Sequence, residues 1–171
     1  MKRRQVGVAL LVATVLQYCP TLAMNQPPIA RGLSNTSSAV IQTWLDCEEC
    51  TRDQLAAVAA LGDTAVPALN NLLRTGPPQP AVDARRAFLE TRWQKMQSYA
   101  AAHPEQPVPQ ARAKYVEGYV RRYVLLNRMR AARALGAINT AAAQNALQQA
   151  LQLPNVPDAL RQEINTWLPR P

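Results

Sequence analysis

Ala134-Leu135-Gly136-Ala137-Ile138-Asn139-Thr140-Ala141-Ala142-Ala143-Gln144-Asn145-Ala146-Leu147-Gln148-Gln149-Ala150-Leu151 reads as two helices joined by a short turn. Alanine- and leucine-rich runs lie on either side of a glycine and an Asn-Thr pair, residue types that end one helix and cap the next. A second stretch, Ala59-Ala60-Leu61-Gly62-Asp63-Thr64-Ala65-Val66-Pro67-Ala68-Leu69-Asn70-Asn71-Leu72-Leu73, follows the same plan with a shorter turn. Aligning Leu69 with Leu147 separates the two by 78 positions, about two units of a ~40-residue helical-hairpin repeat.

Composition points the same way. The chain has 171 residues, enough for one domain with a real core. Alanine occurs 29 times and aromatics make up 5%, which weighs against a sheet protein and for packed helices. A large multi-domain enzyme is excluded by length. Proline and glycine punctuate the rest. Helices are expected over residues 38–46, 51–61, 63–74, 82–102, 110–135, 139–151 and 155–168. Thr51 and Gln54 form a capping box for the second, and Gly62 is placed to end it. Asp63 or Thr64 caps the third, with Pro67 in its first turn; Asn139 or Thr140 caps the sixth. Leu89, Trp93, Met96 and Ala100 form an apolar stripe on the fourth, flanked by Phe88. Gly118 offers a close approach inside the fifth, and Gly136 is read as its end.

The two quoted stretches resemble the HEAT repeat in its bacterial form: Ala-Leu-Gly, a short turn, Ala-Val-Pro-Ala-Leu, then further leucines. The stretch over residues 134–151 has Gln144-Asn145 where Val-Pro is usual. The resemblance implies an all-α fold of αα-hairpins stacked as a short solenoid that binds other proteins on a curved surface. It implies no catalytic residue and no cofactor. An irregular bundle of six to seven helices also satisfies the pattern.

The first residues indicate a compartment. Lys2, Arg3 and Arg4 precede an apolar run over residues 6–16, then Pro20 and Thr21-Leu22-Ala23. This is the plan of a secretory signal peptide. Its 11 apolar residues fall short of the roughly 20 that span a bilayer. An uncleaved interfacial anchor is the competing reading. Lipidation at Cys19 is set aside because Gln17 and Tyr18 stand where small residues are needed. The expected organisation is therefore a signal peptide (1–23), a flexible leader (24–36) and one domain (37–171), periplasmic or secreted. Loss of three cations takes the net charge from +8 to +5.

Cys47 and Cys50 are then the remaining cysteines, an even pair in an oxidising compartment and so a structural disulfide. A redox site would need a stabilised thiolate, yet Asp46, Glu48, Glu49 and Asp53 surround the pair against Arg52 alone. A zinc site wants four ligands, and His103 is the single histidine. No metal or cofactor is assigned, no Gly-x-Ser-x-Gly element is present, and catalysis is not expected.

Charge is uneven: residues 46–63 carry five acids and one Arg, while residues 83–133 carry eleven Lys/Arg and four acids, a net of +7. Arg112, Lys114, Arg121, Arg122 and Arg128 are candidates for a partner-binding basic face, with Tyr115, Tyr119 and Tyr123 interleaved. Basic residues with aromatics fit nucleic acid, but an exported chain meets anionic protein, lipid or glycan instead. A solvated arginine-rich face with tyrosines in the helix seam is the plainer alternative. Trp44, Trp93 and Trp167 read as core. The functional expectation is a non-catalytic module binding another exported protein. The alternatives are a thiol-disulfide protein and a binder of anionic envelope lipid or glycan. N-terminal sequencing of the exported protein should begin at Met24; a chain that retains Met1 contradicts the export signal.

Overall fold

A computed structural model describes residues 34–105 and 111–169, which form seven α-helices and one 3-10 turn with no strand. The expected signal segment 1–23, residues 24–33 of the expected leader and residues 106–110 of the proline-rich loop lie outside the described residues. The first helix, α1 (Asn35–Leu45), begins inside the expected leader, because Ser34 Oγ accepts the Ser37 amide and caps it. α2 (Arg52–Ala59) starts at the Thr51/Gln54 capping box, both halves of which are made. Gly62 takes the left-handed conformation (φ +57°) and opens a 3-10 turn, Gly62–Ala65, that leads into α3 (Val66–Thr75). Neither Asp63 nor Thr64 caps α3. The Thr64 hydroxyl turns back to donate to the Leu61 carbonyl (2.6 Å), and the 3-10 turn supplies the approach instead.

α4 (Gln79–Ala102) begins three residues before its expected start, since Pro80 in a first turn lacks only an N–H that would have no partner there. α5 (Arg112–Ile138) passes straight through Gly136 and ends where Asn139 adopts φ +52°. Gly136 is not a helix stop: it is glycine because the Trp167 side chain lies directly against its α-carbon, where a β-carbon would overlap the ring. Gly118, by contrast, has no neighbour within 4 Å of where a β-carbon would sit, so the close approach expected there is absent. α6 (Ala141–Leu151) is capped by Thr140. α7 (Asp158–Trp167) starts later than expected, because Asn155 (φ +57°) stays in the turn and Pro157 occupies the cap position.

α5 touches every other helix. Its second half, with Ala131, Ala132, Ala134 and Leu135 fully buried, is the centre of the main core. Alanines there let neighbouring backbones approach, and Leu69, Leu73, Leu147, Leu160 and Ile164 fill the seams from α3, α6 and α7. Each such side chain contributes about 1.5–3 kcal/mol of burial. The α2–α3 pair stacks on the α5–α6 pair through α2 on α5 and α3 on α5 and α6. The two similar stretches are therefore spatial neighbours, and their turns touch: the Thr140 hydroxyl donates to the Asp63 carboxylate, 77 residues away. Thr140 follows left-handed Asn139 as Asp63 follows left-handed Gly62. Equivalent turn positions of the two copies thus bond to each other.

Between the copies, α4 and the first half of α5 form a long antiparallel arm with a core of its own, Val82, Leu89, Val116 and Val120, flanked by Trp93, Tyr115 and Val124. At 24 and 27 residues these helices run about 36 and 40 Å.

The two glycines of α5 should answer oppositely to alanine. Gly136→Ala is expected to destabilise by about 2 kcal/mol through overpacking on Trp167. Gly118→Ala should stabilise by about 0.5–1 kcal/mol, as an unobstructed helix-interior site. Urea unfolding of both variants checks this, and effects of the same sign contradict it.

Candidate functional site

The disulfide turn carries the sharpest local chemistry among the described residues. Cys47 and Cys50 are joined, with α-carbons 5.1 Å apart, between the end of α1 and the start of α2. Cys47 is buried and Cys50 half-buried, while Asp46, Glu48, Glu49 and Asp53 are exposed around them. Arg130 of α5 reaches under the turn and donates to the carbonyls of Leu45 and Cys47. The Trp44 indole N–H in turn donates to the Arg130 carbonyl (3.0 Å). Burial pushes the Arg130 pKa down, opposed by Asp46. The turn is thus fastened to α5 through its backbone.

Two further arginines of α5 do the same for other helices. Arg128 Nε donates to the Leu73 carbonyl at the end of α3 (2.8 Å), and burial lowers its pKa. Arg133 grips Glu163 of α7 through two bonds (2.9 and 2.8 Å), and Trp167 Nε1 donates to the same carboxylate (2.9 Å). Burial alone would raise the Glu163 pKa. The bonds from Arg133 and Trp167 outweigh it and hold the carboxyl below its ordinary value. Sequence reading missed Arg130 and Arg133 as fastening residues, because their partners are 83–85 and 30 residues away.

The five candidate basic-face residues do not converge. Arg128 is engaged with α3 as described. Arg112 is paired with Glu90 of α4 through both carboxylate oxygens (Nε–Oε2 2.7 Å). Lys114, Arg121 and Arg122 are exposed. Lys114 and Arg121, seven apart, share a stripe of the helix, whereas Arg122 is a further ~100° round and Arg112 points to the opposite side. A second bidentate pair, Arg86 with Glu117 (3.1 and 3.3 Å), joins the arm's helices and holds the Glu117 carboxyl below its usual range. Tyr115 and Tyr119 rings meet at 4.9 Å; His103 packs on Tyr99 at 4.2 Å, with Glu105 3.5 Å from its Nδ1. Trp44 is deep in the core and Trp93 and Trp167 are partly buried.

On α4 a different set lines up. Arg85, Phe88, Arg92, Lys95 and Tyr99 are all exposed, and their 3-4-3-4 spacing puts them on one helical stripe. The Arg85 guanidinium sits 5.4 Å from the Phe88 ring and 5.8 Å from that of Tyr123, bridging α4 and α5. This pattern was present in the sequence beside the buried stripe and could have been read there. Among the described residues no group of three or more His, Cys, Asp or Glu has metal-holding geometry, and no helix is long and apolar enough to cross a membrane.

Residues 128–152 match the family described as the PBS lyase HEAT-like repeat, a span that takes in the last turns of α5, its turn and α6. No curated protein and no solved structure matches the chain. The α5–α6 hairpin is therefore a HEAT-like repeat, and proteins built on this repeat are generally non-catalytic.

The Glu163 carboxyl has a depressed folded pKa, so its share of stability is present above the unfolded value and lost as pH falls through the folded one. Unfolding free energy should therefore drop as pH falls below about 4.5. Glu163→Gln should be less stable at pH 7 and show a shallower acid slope. An unchanged slope in that variant contradicts the role given to this carboxylate.

Proposed function

Taking the HEAT-like repeat of α5 and α6 as premise, we propose that the protein is an exported, non-catalytic adaptor that holds another protein of the cell envelope or the secreted pool. The observation that carries this is the repeat match over residues 128–152 together with the stacking of a second, similar hairpin against it. Repeats of this kind bury their apolar faces on one another and leave a rigid outer surface for a partner. Support for export comes from the basic-then-apolar start of the chain and from the Cys47–Cys50 bond, which persists in an oxidising compartment. The arm's excess of cations would steer an acidic partner towards it, raising the association rate more than the final affinity.

Photo-crosslinking in intact cells, with identification of the captured species, tests this reading. A discrete exported protein is expected, and its complex should weaken as ionic strength rises from about 0.05 to 0.5 M. Recovery of lipid or glycan alone overturns it. So does a function that survives every surface change but disappears with Cys47→Ser and depends on cycling of the pair between dithiol and disulfide.

A further inference from the structure

We propose that the exposed stripe of α4 formed by Arg85, Phe88, Arg92, Lys95 and Tyr99 is a docking surface for an acidic amphipathic helix of a partner protein. The inference rests on the adaptor reading and assigns that function a place and a chemistry. Four large apolar or aromatic side chains are exposed among the described residues, and all belong to α4 and α5: Phe88 (53%), Tyr99 (57%), Tyr119 (46%) and Leu126 (38%). Exposed aromatics gathered on one structural part, rather than scattered, are the mark of a surface that meets something. Phe88 and Tyr99 stand three turns apart, about 16 Å, on the same stripe as three cations.

The arm's carboxylates are elsewhere. Asp83 and Glu117 are held by Arg86, Glu90 by Arg112, and Glu105 lies against His103. Asp83 and Glu90 lie about half a turn around α4 from the stripe. No ion pair joins Arg85, Arg92 or Lys95 among the described residues. Arg85 is placed between two aromatic rings, an arrangement that holds its charge at the surface while covering apolar area.

The spacing selects a helix as occupant. A 3-4-3-4 stripe about 21 Å long is the seam along which two helices lie at a shallow angle. Aromatic anchors seat in the partner's apolar positions, and the cations meet carboxylates on its flanks. A bilayer or a phosphodiester backbone would be met by a broader fan of cations than this single row. Segments of this chain outside the described residues do not supply the occupant: residues 1–33 carry Lys2, Arg3, Arg4 and Arg31 with no acid, and residues 106–110 and 170–171 carry no acid either. A second copy offers its acidic turn, Asp46, Glu48, Glu49 and Asp53, but those residues do not recur along a helix at the spacing the stripe requires.

The test uses the full chain and a fluorescein-labelled helical peptide of about 21 residues, with Leu and Glu at 3-4 spacing along one face. Anisotropy should show saturable, salt-sensitive binding. Arg92→Glu with Lys95→Glu should weaken it by at least about tenfold, and Phe88→Ala with Tyr99→Ala by a similar factor. Arg74→Glu with Arg161→Glu, the same charge change on exposed sites off the arm, should leave it within about twofold. Because every altered residue is exposed, unchanged circular dichroism confirms that the variants fold. No binding by the wild type, equal binding by the Arg92/Lys95 variant, tighter binding of phosphatidylglycerol vesicles or duplex DNA at the same residues, or sedimentation as a self-associated species each overturns the proposal. If the cellular partner is captured as well by the Arg92/Lys95 variant as by the wild type, the stripe is refuted and the adaptor reading stands. If no protein partner is captured by either, the adaptor reading fails first.

Discussion

The second half of α5 is the part on which the rest of the molecule depends. Within six residues it presents Arg128 to α3, Arg130 to α1 and Arg133 to α7, while Ala131 and Ala132 between them and Ala134 and Leu135 just beyond are buried. A hydrogen bond to a charged group is worth about 1.5–3 kcal/mol net, and burying part of each guanidinium offsets some of that. The arginines thus decide which neighbour sits where, and apolar burial supplies most of the stability. Removing the alanines' small volume would push the neighbours out of reach of the arginines, so the two features work only together.

How much of this was legible in the chain depends on the range of each interaction. The Thr51/Gln54 box was readable because donor and acceptor lie three residues apart and need nothing from the rest of the fold. The same holds for Thr140 as a cap and for the left-handed bend at Gly62. Gly136 misled for a physical reason. A Leu-Gly pair looks alike whether the glycine ends a helix, as Gly62 does nearby, or makes room for a side chain arriving from 31 positions later, as Trp167 does. The arginines of α5 could be counted as charge but not assigned, since their partners lie 30 to 85 residues away. The basic face drawn on α5 dispersed because Arg128 and Arg112 are engaged by other helices and the remaining cations point to different sides of the helix. The row on α4, by contrast, follows from spacing beside the buried stripe and was legible in the sequence.

The molecule has two parts with different physics. One is the stacked pair of hairpins, tied at equivalent turns by Thr140 and Asp63, where density and alanine set the geometry. The other is the arm, with a four-residue core braced by Arg86–Glu117 and Arg112–Glu90. Those braces engage Glu117 and Glu90, and aromatic and cationic groups stand outward on α4.

Native-state hydrogen exchange by mass spectrometry compares the stability of the two halves of α5 segment by segment. Amides over residues 130–136 should exchange only through global unfolding, and those of α4 and of residues 112–124 through lower-energy local opening, since that core is smaller. Protection of the arm equal to that of residues 130–136, or early exchange of residues 130–136 themselves, would contradict the placing of α5 at the centre of this fold.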